Sequence, residues 1–218
     1  KSKLKSLKPE FIQLEPKNRL YQMPQPILGL TGGIASGKST VSKFLREEGF
    51  SIIDADYLVK AVYQKEEVIQ EIAKAYPDSI QNNAIDFKVL RQAFFNDSNL
   101  QSKIEKIIYQ RLPLAFTDEF KSQSSSAQDF IIYDVPLLFE KNLAPLVDLK
   151  VCVWCSPKTQ IERLMKRDGI DEVLSKKILE KQWDINKKRD QSDLVIKNDG
   201  SLDELKTQFD SFLSSILL

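Results

Sequence analysis

The run Gly32-Gly33-Ile34-Ala35-Ser36-Gly37-Lys38-Ser39 fits G-x-x-x-x-G-K-[ST] at every fixed position. Glycines allow the tight backbone path that turns N–H groups inward onto phosphate oxygens. Lys38 adds a point charge at the β- and γ-phosphates, and the Ser39 hydroxyl can take a ligand position on Mg²⁺. The helix expected next aims its positive end at the same place. The loop from Gly32 to Thr40 therefore reads as a grip on the phosphates of ATP. Its expected contacts are Gly33, Ile34, Ala35, Ser36, Gly37, Lys38, Ser39 and Thr40.

Carboxylates follow at two further places. Asp54 and Asp56 come directly after the apolar run Phe50–Ile53, and Tyr133-Asp134-Val135-Pro136-Leu137-Leu138-Phe139-Glu140 ends another such run. In open α/β sheets, ligands bind beyond the carboxyl ends of strands, where these acids fall. An Asp at a strand end can equally cap the next helix. Residue types alone leave both uses open for Asp54, Asp56 and Asp134. The chain has no histidine, so proton transfer has to use Asp, Glu or Lys. Arg163 and Arg167 stand four apart and share one helical face. They can reach a transferring phosphate together or form surface pairs with Glu162 and Asp168.

These groups need an alternating α/β frame. Strands are expected at Ile27–Leu30, Phe50–Ile53, Phe130–Tyr133, Val151–Trp154 and Leu194–Ile196, each an apolar run suited to a parallel sheet covered on both faces. A helix is expected from Thr40 to Glu48, ending at Gly49. About seventy residues between the second and third strands exceed what a simple crossover needs and read as an inserted helical domain. A second helical stretch, Pro157 to about Lys188, is rich in Lys and Arg and reads as a solvated basic face. Ser122–Ser126 reads as a loop. Residues before about Pro26 carry no clear periodicity and are expected to be an unpacked extension, dispensable for chemistry before about Met23, where the working domain is expected to start. Glu10 and Glu15 fit a targeting segment poorly.

Composition narrows the classes. The 218 residues hold 32 Lys plus Arg against 31 Asp plus Glu, a net charge of +1. No global basic field exists to recruit nucleic acid. No long apolar run suggests a membrane span, and two cysteines suit a reducing, cytoplasmic setting. Cys152 and Cys155 form a C-x-x-C inside an expected strand, where residues three apart face opposite ways, so a structural role is expected. None of the seven glycines has an Asp three positions before it, so the D-x-x-G of GTPases is missing. The stretch Asn186–Asp190 is one residue too long for N-K-x-D, and an S-G-G-Q-like signature is absent. A small kinase remains.

The order of motifs resembles the dephospho-coenzyme A kinase family. The resemblance rests on Leu30–Thr40, Ile53-Asp54-Ala55-Asp56, Val135–Glu140, Arg163–Asp168, Gln182 and Asp193–Gly200, and runs from about Ile27 to the C-terminus. It implies ATP- and Mg²⁺-dependent phosphorylation of the ribose 3′-hydroxyl of dephospho-CoA. The implied fold is α/β: a P-loop kinase core with a parallel sheet flanked by helices, an inserted helical acceptor domain and a helical lid. The expected boundaries are an extension at 1–25, a core at 26–56, 127–156 and 190–218, an acceptor domain at 57–126 and a lid at 157–189. By resemblance Asp56 is the catalytic base, with Lys38, Arg163 and Arg167 as its catalytic companions. Asn198 and Gly200 lie beside the adenine. Asp54, Asp56, Pro136, Leu137, Leu138 and Glu140 face the acceptor, and Ser39, Asp56 and Asp134 face the metal. Tyr109-Gln110 replaces the family's usual His-Pro pair, and Phe87 takes the place of a frequent Arg. A monomer acting on a small molecule is expected. Alternatives are another small-metabolite or nucleoside monophosphate kinase, and a nucleotide-gated binding protein without turnover.

Overall fold

The structure, a computed structural model, describes residues 4–123 and 128–218. Lys1, Lys3 and most of the Ser122–Ser126 loop lie outside the described residues. The five strands of the main sheet are β1 (Ile27–Gly32), β2 (Ile52–Asp54), β5 (Ile131–Asp134), β6 (Leu149–Trp154) and β7 (Leu194–Lys197). A short antiparallel pair, β3 (Ile80–Gln81) and β4 (Ala84–Ile85), forms a second, two-stranded sheet. The main sheet has the order β2-β5-β1-β6-β7. Pairings of β1 with β5, β1 with β6 and β6 with β7 are parallel. The chain leaves β1 toward β5 and β2 on one side and later toward β6 and β7 on the other. A crevice therefore opens beyond the carboxyl end of β1, at the switch point of the topology.

Buried residues on both faces make these runs strands. All six residues of β1 are buried, as a central parallel strand requires. One face of the sheet meets α1 (Lys38–Glu47) and α10 (Leu202–Ile216). Leu28, Leu30, Ile132, Val151 and Ile196 join Val41, Leu45, Leu205 and Phe209 in one core cluster, and the Phe44 and Phe209 rings lie 5.4 Å apart. Ser201 and Glu204 form a complete capping box at the start of α10. Three further helices follow β6: α7 (Pro157–Asp168), α8 (Glu172–Leu179) and α9 (Ile185–Asp190). Ser156 caps α7, Pro157 occupies its first turn, and Gly169 ends it with φ +65°.

Contacts divide the chain into two units. One runs from the N-terminus to Ile53 and resumes at Gln123, and the other is Asp54–Ser122. The second unit contains α2 (Ala55–Tyr63), α3 (Glu66–Ala75), α4 (Phe87–Asn96), α5 (Ser98–Tyr109) and α6 (Leu112–Ser122). Val62, Val68, Ile72, Leu90, Ile104 and Phe116 form its interior, and Asp54, Asp86 and Asp97 cap α2, α4 and α5. The β3–β4 hairpin was not expected from sequence. Its turn places Asn82 and Asn83 at φ +49° and +60°, and an Asn-Asn pair able to hold positive φ is the signal that marks it.

The N-terminal segment corrects one expectation, because it is packed. Leu7, Leu20 and Met23 are buried, and Leu7 pairs as an isolated bridge with Leu217. Arg19 and Asp148, both buried, form an ion pair at 2.7 Å. Asp148 also accepts from the backbone N–H groups of Gln13, Leu14 and Ile27 at 2.9–3.0 Å. One carboxylate thus joins the segment to the starts of β1 and β6, which a periodicity search could not register.

Candidate active site

The phosphate loop fills the crevice beyond β1. Each carbonyl from Gly32 to Gly37 accepts a hydrogen bond within the protein. Lys188 Nζ donates to Gly32 at 3.1 Å, Gln160 Nε2 to Ile34 at 2.8 Å and Asn198 Nδ2 to Ser36 at 2.9 Å. The Cys155 thiol lies 3.9 Å from the Ala35 carbonyl. The Gly33 carbonyl takes the Ser36 N–H, and that of Gly37 takes the N–H groups of Thr40 and Val41. With the carbonyls engaged, the loop is free to present N–H groups to an anion. Gly37 sits at φ +92°, and a Cβ there would come within 2.0 Å of Asn198 Nδ2. Only glycine allows both the backbone path and this close approach.

Gly33, Ala35, Gly37, Lys38, Ser39, Thr40, Arg163, Arg167, Asn198 and Gly200 line one cavity of about 530 Å³. The structure thus brings these ten expected residues together. It adds Leu202 and Leu205 of α10, an apolar wall that sequence reasoning missed because helical Leu residues read as ordinary core. Ile34 instead uses its backbone, donating its N–H to Gln182 Oε1 at 3.2 Å. The Ser36 side chain is buried, and its hydroxyl is without a partner among the described residues.

Lys38 pairs with Asp134 at the end of β5, and Ser42 Oγ donates to the other Asp134 oxygen at 2.7 Å. Arg163 Nη2 donates to the Asn198 carbonyl at 2.8 Å. Arg167 is exposed and grips Asp168 with two hydrogen bonds of 2.7 and 2.9 Å. Those bonds raise the Arg167 guanidinium above its ordinary value and hold the Asp168 carboxyl below its own. The surface pairing weighed for Arg167 is therefore its arrangement here. Asp199, next to Asn198, is held below the ordinary carboxylate range. Partial burial works against this shift, and hydrogen bonds from Ser156 and Thr159 with the nearby Arg163 charge outweigh it.

After β5 the chain separates surface from core. Pro136 and Leu137 are half-buried. Leu138 corrects an expectation. It is fully buried and lies so close to Gly29 that a Cβ there would meet it at 3.3 Å, so it serves the core and offers no acceptor contact. Glu140 Oε1 accepts from Lys188 Nζ at 2.7 Å and the Trp183 N–H at 2.9 Å, while its Oε2 is buried without a partner among the described residues. Asp54 and Asp56 open the helical unit. Asp54 caps α2, accepting from the Tyr57 N–H at 3.0 Å. Asp56 follows in the first turn and is exposed.

The dephospho-CoA kinase family model matches residues 26–204. The chain belongs to the dephospho-CoA kinase family. It is 36% identical over 192 residues to the dephospho-CoA kinase of Fusobacterium nucleatum subsp. nucleatum, covering 87% of this chain and 98% of that one. With the Arabidopsis thaliana dephospho-CoA kinase it shares 35% over 193 residues, covering 87% and 83%. A solved Thermus thermophilus protein superposes with a TM-score of 0.75 at 25% identity, covering 88% of this chain and 97% of that chain. The solved dephospho-CoA kinase of Campylobacter jejuni shares the fold, with a TM-score of 0.65 at 22% identity and coverage of 87% and 96%. Family membership makes the chain a kinase with a P-loop core.

Among the described residues, no group of three or more acids and cysteines could cage an ion. Mg²⁺ is usually held by one or two carboxylates together with substrate phosphates and water. Asp134, already turned toward Lys38, and Ser39 suit that arrangement. Lys188 and Gln160 escaped sequence reasoning. Lys188 lies in the basic stretch read as a solvated face yet is fully buried, and no residue-type pattern distinguishes it from its exposed neighbour Lys187. Among the described residues, no helix is long and apolar enough to cross a membrane.

Proposed function

We propose that this chain transfers the γ-phosphoryl group of ATP to the ribose 3′-hydroxyl of dephospho-CoA, giving coenzyme A and ADP, the last step of coenzyme A biosynthesis. The observation that carries this reading is the phosphate loop, with its carbonyls engaged in hydrogen bonds within the protein, inside a family match spanning residues 26–204. The loop N–H groups and Lys38 bind the β- and γ-phosphates, with Lys38 exchanging Asp134 for phosphate. Asn198, Gly200, Leu202 and Leu205 offer polar and apolar contacts to the base. Pro136, Leu137 and Glu140 face the acceptor, and the orphaned Glu140 Oε2 is ready to accept from it.

Phosphoryl transfer depends mainly on positioning and charge neutralisation. Asp56 orients the acceptor hydroxyl and takes its proton late, as the new O–P bond forms and the bond to the ADP oxygen breaks. Asp54, engaged as a cap, positions the turn that presents Asp56. Arg163 and Arg167 move from Asn198 and Asp168 onto the transferring group and help exclude water. Ser39, Asp134 and Asp56 are the candidate ligands of Mg²⁺, which would supply further neutralisation of phosphate charge. Two free, buried cysteines suit a reducing cytoplasm, and a monomer suffices for this scheme.

The test is ADP release with ATP, Mg²⁺ and dephospho-CoA, run beside AMP, CMP and pantothenate as acceptors. Turnover is expected with dephospho-CoA, and ³¹P NMR should place the new phosphate on the 3′-oxygen. Asp56→Asn should lower kcat by roughly 10²–10⁴-fold while ATP binding persists, and Asp54→Asn should act mainly on stability. A preference for another acceptor, or an active Asp56→Asn beside an inactive Asp54→Asn, would overturn the corresponding assignment.

A further inference from the structure

Lys188 is the most deeply buried cation at the site. Its side chain is 0% exposed, and its Nζ reaches three acceptors: the Gly32 carbonyl at 3.1 Å, the Pro136 carbonyl at 2.8 Å and Glu140 Oε1 at 2.7 Å. An ammonium has three hydrogens and no acceptor, so this arrangement satisfies it completely. The three acceptors belong to different segments. Gly32 ends β1 and starts the phosphate loop, Pro136 lies just past β5, and Glu140 ends the segment that also binds the Trp183 N–H. Thr31 Oγ1 donates to the same Pro136 carbonyl at 3.0 Å.

This geometry bears on catalysis through the strands it joins. β1 carries the loop that leads to Lys38, and β5 carries Asp134, the partner of Lys38. Beyond the last ladder bond between the strands, from the Val135 N–H to the Leu30 carbonyl, a single ammonium bridges the segments that lead to these groups. Burying a charge is costly, and an apolar residue of similar volume often stabilises a fold as well or better. A lysine kept at this point is therefore better explained by where it holds its partners than by stability. The planar fork of arginine does not match three acceptors converging on a point, whereas a tetrahedral ammonium does.

We propose that Lys188 is a positioning residue for phosphoryl transfer, setting the register of the phosphate loop against the segment after β5. The proposal rests on the kinase reading above and extends it to a residue whose ammonium is spent on Gly32, Pro136 and Glu140. Small misplacement of reacting groups lowers the rate more than it weakens binding. Lys188→Met keeps the length and apolar stem and removes the three donors. In this variant kcat at saturating dephospho-CoA should fall roughly 10- to 100-fold, with the KM for ATP within about 5-fold of wild type. Circular dichroism and the melting temperature should report a folded protein.

A folded Lys188→Met enzyme that keeps kcat within about twofold would overturn the proposal. So would a loss carried by the KM for ATP alone. Should Lys188→Met fail to fold, Lys188→Gln, which retains two donors without the charge, is measured in the same way. Failure of both to fold would assign Lys188 to stability and overturn the proposal as well. Wild-type enzyme assayed in parallel separates the two readings, because an inactive wild type would overturn the function and this inference together, whereas an active one leaves only Lys188 in question.

Discussion

At the scale of single residues, burial decides what the two cysteines do. Cys152 lies inside β6 and Cys155 just beyond it, both free and fully buried. Burial pushes the Cys152 thiol up to about 12 and that of Cys155 up to about 11, against an ordinary value of 9.0. Neither is a nucleophile at neutral pH. The native state therefore keeps protons that the unfolded chain releases above pH 9. Stability attributable to these thiols is complete below that value and declines from pH 9 toward 11–12, with a limiting slope of about 1.4 kcal/mol per pH unit for Cys152. Urea unfolding of wild type and Cys152→Ala between pH 8 and 10.5 should show a shallower alkaline decline in the variant. Parallel declines would mean that other groups carry the effect. The strand reading of the C-x-x-C holds for Cys152, inside β6, whereas Cys155 falls one residue past its end.

At the scale of elements, the stretch from α7 to α9 is anchored to the phosphate loop near both of its ends. Gln160 near the start of α7, and Gln182 and Lys188 near α9, hold the phosphate loop. The stretch carrying Arg163, Arg167 and α8 lies between these anchors, so a lid closing over ATP is expected to move within about residues 161–181 and to leave the anchors in place. Arg163→Ala and Arg167→Ala should each lower kcat more than they raise the KM for ATP, by about tenfold or more, since such contacts form on closure. Arg167 gives up only an exposed pair with Asp168, which costs little. Lys206→Ala serves as the control for bulk charge, and an equal loss in it would count against the named arginines. The strands were legible because a parallel strand covered on both faces leaves an unbroken apolar run. The anchors were not, because an amide or ammonium aimed at a backbone carbonyl has no periodicity, and the side chain it resembles in sequence is a solvated one.

At the scale of the whole molecule, the segment before Met23 is part of the fold. Removing it would leave Asp148, 1% exposed, without Arg19. The ion pair, the hydrogen bonds from Gln13 and Leu14, and the burial of Leu7 and Leu20 are lost together. Deletion of residues 1–22 should therefore lower the melting temperature markedly. The kcat of the surviving folded enzyme, measured well below that temperature, should stay within a few-fold of the full chain. An unchanged melting temperature would show that the ion pair contributes nothing.

The same segment also constrains how the chain comes into being. Leu7 faces Leu217, and Lys8 Nζ donates to the Ser215 carbonyl across 207 positions of sequence. A ribosome adding about 5–20 residues per second delivers these partners roughly 10–40 seconds apart. For much of that interval Leu7 is outside the ribosome before the surface that will cover it has been made. This segment is thus secured only after Leu217 has been made, and until then the nascent chain carries unsheltered apolar residues that chaperones can bind.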